Sequence, residues 1–143
     1  MPVRKAAAEW LGEFSSGAGR VSFGGGDAAY SGPYSAASRF EEGQGTNPEE
    51  LIGAAHAGCF SMALAAGLGR AGHAPKSIRT SAQVHIDKGD AGWTITRIEL
   101  ETVADIPGLE QGEFERLAEE AKRGCPVSRA LSGVTIELKA RLA

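Results

Sequence analysis

Residues 46–70 read Thr46-Asn47-Pro48-Glu49-Glu50-Leu51-Ile52-Gly53-Ala54-Ala55-His56-Ala57-Gly58-Cys59-Phe60-Ser61-Met62-Ala63-Leu64-Ala65-Ala66-Gly67-Leu68-Gly69-Arg70. The start is written three times over: Asn47 as a cap, Pro48 at the first helical position, and Glu50 three residues after the cap. Glu49 and Glu50 suit the positive end of the helix dipole, and Arg70 suits the negative end. Between Leu51 and Gly69 there is no formal charge. A helix apolar on every face is buried in protein or in lipid. Its Ala and Gly content and its internal His disfavour a membrane span. Small residues instead admit a close neighbouring backbone, so the stretch predicts a central core helix.

The sequence on either side supplies cover for that helix. Before it lie short strand-like segments, with Val3–Leu11 as the first strand, separated by the turn clusters Gly24-Gly25-Gly26-Asp27 and Gly43-Gln44-Gly45. The three glycines carry neither GxGxxG nor GxxxxGK[ST], so a loop rather than a phosphate cradle is expected. After it, Ile78, Thr80, Ala82, Val84 and Ile86 alternate with Arg79, Ser81, Gln83, His85 and Asp87. A turn at 88–92 leads into a second strand from Trp93 to Val103, giving a hairpin with one dry face. Phe114, Leu117, Ala118 and Ala121 mark an amphipathic surface helix that Gly124 ends. Val134, Ile136, Leu138, Ala140 and Leu142 alternate in a last strand. The expected class is α+β, an antiparallel β-sheet packed on a buried central helix, in a single domain of residues 1–143. One small sheet covers only one side of such a helix. A symmetric partner bringing the same helix would cover the other, which predicts an intimate homodimer.

Composition narrows the function classes. The 143 residues carry a formal net charge of −3, with charges interspersed, which argues against nucleic acid and against a polybasic membrane patch. No signal-peptide pattern follows Met1, so a cytoplasmic location is expected. Two cysteines in a cytosolic chain are too few for a four-sulfur zinc site, and no CxxC or HExxH occurs. Count alone leaves inert core thiols or a redox pair, and favours the former. Cys59 lies in the apolar helix, where a thiol needs a donor or a cation before it becomes a nucleophile. His56, three residues earlier, shares its helix face. It reads either as an assistant to that thiol or as a packed, hydrogen-bonded core residue. Cys125, between Gly124 and Pro126, falls at the cap of a short helical turn, where backbone N–H groups favour a thiolate and a good leaving group.

Taken together, the stretch Thr46 to Leu64 and the stretch Gly124-Cys125-Pro126-Val127-Ser128 resemble the osmotically inducible protein C (OsmC) and organic hydroperoxide resistance family, most closely its osmotically inducible branch. The resemblance extends to the early strand with Trp10, to Arg39-Phe40 and to the terminal strand. It implies an OsmC-like, intertwined homodimer with thiol-dependent peroxidase activity on alkyl or lipid-like hydroperoxides, in oxidative or osmotic stress defence. It assigns Cys59 as the residue attacking the peroxide and Cys125 as the resolving one, the two joining in a disulfide after a sulfenic acid forms on Cys59. An external dithiol, such as a lipoyl group or lipoylated protein, would restore the pair; no metal, haem or flavin is implied. The family also activates its first cysteine with a Glu and an Arg. Glu49 matches the Glu, although ten residues of continuous helix separate it from Cys59 by about 15 Å. It would then act across the dimer or from an irregular helix start; its simpler role is that of a helix-start acid. For the Arg, Gly17 stands where the hydroperoxide-resistance branch carries it. Arg39 fits the osmotically inducible pattern, with Arg20 in reserve; a guanidinium would hold a thiolate and donate to a peroxide oxygen.

Two rival readings share these residues. A non-catalytic protein would use the apolar dimer crevice for a fatty or aromatic ligand. A thiol redox sensor would form the same disulfide and signal through a partner.

Overall fold

The computed structural model describes the backbone from Met1 to Ala143 and every side chain but that of Ala28. The chain falls into two compact units, Met1–Leu51 and Ile52–Ala143.

The first unit is an antiparallel meander of β1 (Ala6–Leu11), β2 (Ala18–Phe23) and β3 (Tyr30–Tyr34). The strand expected from Val3 begins at Ala6, because Ala6 pairs with Phe23, the last residue of β2, and nothing remains for residues 3–5 to pair with. The rings of Trp10 and Tyr34 meet over the sheet at 5.5 Å between centroids. Gly19 sits beneath them, and a Cβ there would run into both rings. A short helix unforeseen in the sequence, α1 (Ala36–Phe40), follows. Ser35 and Ser38 close it with a reciprocal capping box. Five residues are too few to display a 3.6-residue period.

Helix α2 (Pro48–Arg70) has the predicted extent. Asn47 Oδ1 accepts the Glu50 N–H at 2.8 Å, while Asn47 Nδ2 donates to Glu50 Oε1 and to the Ser38 carbonyl. Its burial within the chain is one-sided. Gly53, His56, Phe60, Leu64 and Leu68 form a buried stripe at helical spacing, whereas Ala54, Ala55, Gly58, Met62 and Ala66 are exposed.

In the second unit, β4 (Ser77–Gly89) and β5 (Gly92–Asp105) form the predicted hairpin, with a bulge between His85 and Ile86. Helices α3 (Gln111–Gly124) and α4 (Pro126–Ala130) lead to β6 (Thr135–Leu142). The single antiparallel sheet expected from the sequence is corrected on two points. There are two three-stranded sheets, and β6 runs parallel to β5, with Ile98 opposite Ile136 and Leu100 opposite Leu138. A parallel pair needs a long crossover, and α3 with α4 supplies it. The core joins Phe60, Leu64 and Leu68 of α2, Ile98, Leu100 and Ala104 of β5, and Phe114, Leu117, Ala118 and Ala121 of α3. Cys125 belongs to the same cluster.

Candidate active site

Both cysteines are free thiols. Cys125 is fully buried, and Cys59 is half-buried against the same core cluster. Local sequence explains each position. Cys59 lies beside the buried stripe of α2, one residue before Phe60. Cys125 ends α3, its N–H bonding to the Ala121 carbonyl at 2.9 Å, and also begins α4, its carbonyl accepting from Arg129 at 3.0 Å. Pro126 at the first position of α4 fixes this reversal, as the sequence predicts.

The two thiols influence each other and titrate as a pair. Burial pushes the Cys59 thiol up, and hydrogen bonding to Cys125 pushes it further. Burial also opposes ionisation of Cys125, but hydrogen bonding from Cys59 and from Ser128 and Val127 outweighs it and brings Cys125 below the ordinary thiol range. The Cys125 side chain makes no capping hydrogen bond, so the nearby polar groups of Cys59, Ser128 and Val127 act on it by proximity. The surroundings thus oppose ionisation of Cys59 and favour that of Cys125.

His56 is wholly buried, and its Nε2 lies 2.7 Å from Ser128 Oγ, across 72 residues of chain. Its Nδ1 is buried with no hydrogen-bond partner. Burial lowers its pKa, so the imidazole is neutral near pH 7. The reading of His56 as a hydrogen-bonded core residue is thus met, with Ser128 as the partner that sequence reasoning missed. The signal lay in the spacing: Ser128 follows Cys125 by three residues, as Cys59 follows His56.

In the first unit the structure brings Arg39 and Glu49 together. Arg39 Nε lies 3.1 Å from both carboxylate oxygens, and its terminal nitrogen is 2.7 Å from Oε1. Glu49 is 6% exposed, so the fork of the guanidinium holds a buried carboxylate. Arg20, the reserve candidate, bonds Ser31 Oγ at 3.1 Å instead. A cleft of about 250 Å³ beside Arg39 is lined by Trp10, Phe14, Tyr34 and Pro48. Among the described residues, no group of three or more His, Cys, Asp or Glu side chains is arranged to hold a metal ion.

Comparison with known proteins supplies the family. Residues 41–139 match the family model described as OsmC-like protein. The chain is 49% identical over 128 residues to the peroxiredoxin OsmC of Escherichia coli K12, covering 90% of this chain and 89% of the relative. It is 33% identical over 94 residues to the organic hydroperoxide resistance protein of Xanthomonas axonopodis pv. citri, covering 64% and 63%. Among solved structures, an OsmC-like protein of unknown function from Vibrio cholerae superposes with a TM-score of 0.77 at 16% identity, covering 98% of this chain and 99% of that one. An organic hydroperoxide resistance protein from Elizabethkingia anophelis gives 0.68 at 26% identity, covering 99% and 97%. The family model that spans residues 41–139 and the 49% identity to a relative over 90% of the chain show that the chain belongs to the OsmC-like family.

Proposed function

We propose that this protein is a thiol-dependent peroxidase that reduces organic hydroperoxides to alcohols, and that residues 1–143 act as one functional domain. The observation that carries this reading is the pairing of two free thiols in one cluster, close enough to influence each other's ionisation. The Cys59 thiolate attacks the terminal oxygen of ROOH. The O–O bond breaks, the alcohol leaves, and Cys59 becomes a sulfenic acid. Cys125 attacks that sulfur, water leaves, and the disulfide forms. A dithiol reductant then returns both sulfurs to thiols and is itself oxidised to a disulfide. These steps need no metal or organic cofactor, and lipoyl groups suit the reductant's chemistry. The apolar residues around Cys59 favour alkyl or lipid-like substrates over hydrogen peroxide.

Because burial opposes ionisation of Cys59, it needs an additional donor to become the nucleophile. The family resemblance supports Arg39 in that role, with Glu49 fixing the guanidinium through its bidentate contact. The exposed apolar face of α2, where Met62 is 76% exposed, supports a homodimer packed through that helix. A cytoplasmic location suits two thiols that must be re-reduced in each cycle.

Turnover of cumene hydroperoxide by wild type and Cys59→Ser, with dithiothreitol as reductant, tests the proposal. Turnover by the wild type that vanishes in the variant supports it. A folded, reduced wild type that consumes no peroxide refutes it. The cleft beside Arg39 would then direct attention to binding of an apolar ligand.

A further inference from the structure

The cap of α2 needs only one atom of Asn47, yet the structure uses the whole amide. Its Oδ1 accepts the Glu50 N–H at 2.8 Å, which is the cap itself, and Ser or Asp would serve there equally well. Its Nδ2 does what no cap requires. It leaves the helix and donates to the Ser38 carbonyl of α1 at 2.9 Å, with a second bond of 2.8 Å to Glu50 Oε1. These contacts fix the orientation of the amide, because a flipped one would set its oxygen against two acceptors and its NH2 against a donor.

Ser38 answers from the other side. It is 6% exposed, and its hydroxyl accepts the Ser35 N–H at 2.8 Å. The one hydroxyl proton has two carbonyls in reach, Thr46 at 2.7 Å and Ser35 at 3.1 Å, and the shorter contact crosses to the segment that enters α2. Ser38 is therefore tied twice to residues 46–47, by its hydroxyl and by its carbonyl. The loop between them folds back on α1: the Gly43 N–H bonds the Ala37 carbonyl at 3.2 Å, and a Cβ at Gly43 would strike the Ala37 and Ser38 backbone. A helix of five residues has little stability of its own, so these ties set where α1 lies against the start of α2. Ser38 directly precedes Arg39, and Asn47 stands two residues before Glu49. The cross-link thus brackets the bidentate pair, whose directional contacts tolerate little displacement.

We infer that Ser38 and Asn47 are positioning residues that lock α1 to the start of α2 and so hold the Arg39 guanidinium on Glu49, in the orientation it needs as a donor in the peroxide step. The inference rests on the proposed peroxidase reading and on the part given there to Arg39. In that step the Cys59 thiolate takes the terminal OH of ROOH. The O–O bond breaks, its electron pair leaves on the RO oxygen, and water protonates that oxygen to the alcohol. A fixed guanidinium stabilises the charge that develops on oxygen, and a guanidinium that must first be reoriented does so less well. Ser38 and Asn47 act only through Arg39.

Asn47→Ser separates the lock from the cap. Serine keeps an oxygen for the Glu50 N–H but is too short to reach the Ser38 carbonyl, so the urea midpoint should stay within about 0.3 M of wild type. Ser38→Ala opens the lock from the α1 side. In proton–nitrogen correlation spectra the Arg39 Nε–H, identified by its loss in Arg39→Lys, should exchange with solvent about tenfold faster in both variants as its bond to Glu49 opens. Single-turnover oxidation of Cys59 by cumene hydroperoxide should slow about tenfold in both, through misplacement of the donor. Arg39→Lys alone should slow it about a hundredfold. Adding Asn47→Ser to Arg39→Lys should then change the rate by less than about twofold, because the lock has nothing left to position. Unaltered Nε–H exchange in Asn47→Ser overturns the inference. So does a wild-type oxidation rate in that variant, or a loss equally large in the Arg39→Lys background, which is what a merely structural residue gives. A wild type inert to peroxide refutes the peroxidase reading itself, and the Nε–H exchange then decides by itself whether the lock holds the guanidinium.

Discussion

Leu64 and Met62 lie two residues apart on α2 and face opposite ways, which lets one helix report on both of its faces. Leu64 is 0% exposed within the core, and Met62 is 76% exposed. Truncating Leu64 to Ala removes three buried carbons, at about 0.8 kcal/mol of transfer free energy for each. The cavity left among Phe60, Leu68 and the β5 side chains adds to this, for a total of about 3–4 kcal/mol. With a urea slope of about 2 kcal/mol per molar, the unfolding midpoint should fall by about 1.5–2 M. Met62→Ala should cost less than about 0.5 kcal/mol if the exposed face meets only water. If a second copy covers that face, as proposed, the cost rises to about 2 kcal/mol or more, and the midpoint depends on protein concentration. Urea unfolding followed by circular dichroism, at concentrations spanning two decades, reads both. A loss below about 1 kcal/mol for Leu64→Ala would refute the packing argument. A concentration-independent midpoint, with Met62→Ala neutral throughout, would refute the dimer through α2.

Two further outcomes follow from local geometry and ionisation. Asn47→Ala removes both the cap of α2 and the tie to the Ser38 carbonyl, and should cost about 1–2 kcal/mol in the same unfolding assay; a change below about 0.3 kcal/mol would contradict the capping role. Burial lowers the His56 pKa below its ordinary 6.5, so below that pH the unfolded chain binds a proton that the folded chain refuses. The stability due to the neutral ring is complete above about 6.5 and is lost as pH falls toward the depressed folded value. Urea midpoints between pH 7.5 and 5 should therefore decline more steeply for wild type than for His56→Gln; parallel declines would count against a neutral buried imidazole.

How much was legible in advance depends on how local the cause is. Asn47-Pro48 and Arg70 marked α2 because capping and dipole effects act within one turn of the chain. Phe114, Leu117, Ala118 and Ala121 marked α3 because their period matches its one buried face. The hairpin of β4 and β5 was legible for the same reason, through alternation. The cysteine pair was legible as two motifs whose residues are each informative locally: an apolar helix around Cys59, and a helix-to-helix cap at Cys125.

What only the tertiary structure decided involves partners distant in sequence. Alternation in β6 reads alike whether its neighbour runs parallel or antiparallel, so the parallel pairing with β5 came from the α3–α4 crossover. The helix α1 carried no period to detect, and its capping box became visible only in three dimensions. Arg39 and Glu49 were candidates separately, but their bidentate contact depends on the turn between α1 and α2. The directions in which the two thiols are shifted, Cys59 up and Cys125 down, follow from the groups packed around the two sulfurs. His56 and Ser128 are ordinary residues in a sequence 72 positions apart, and only folding, which excludes water from both, makes their single hydrogen bond a chemical constraint. Short-range steric and capping preferences are written in the order of residues. Long-range pairing and desolvation arise only when the chain closes on itself.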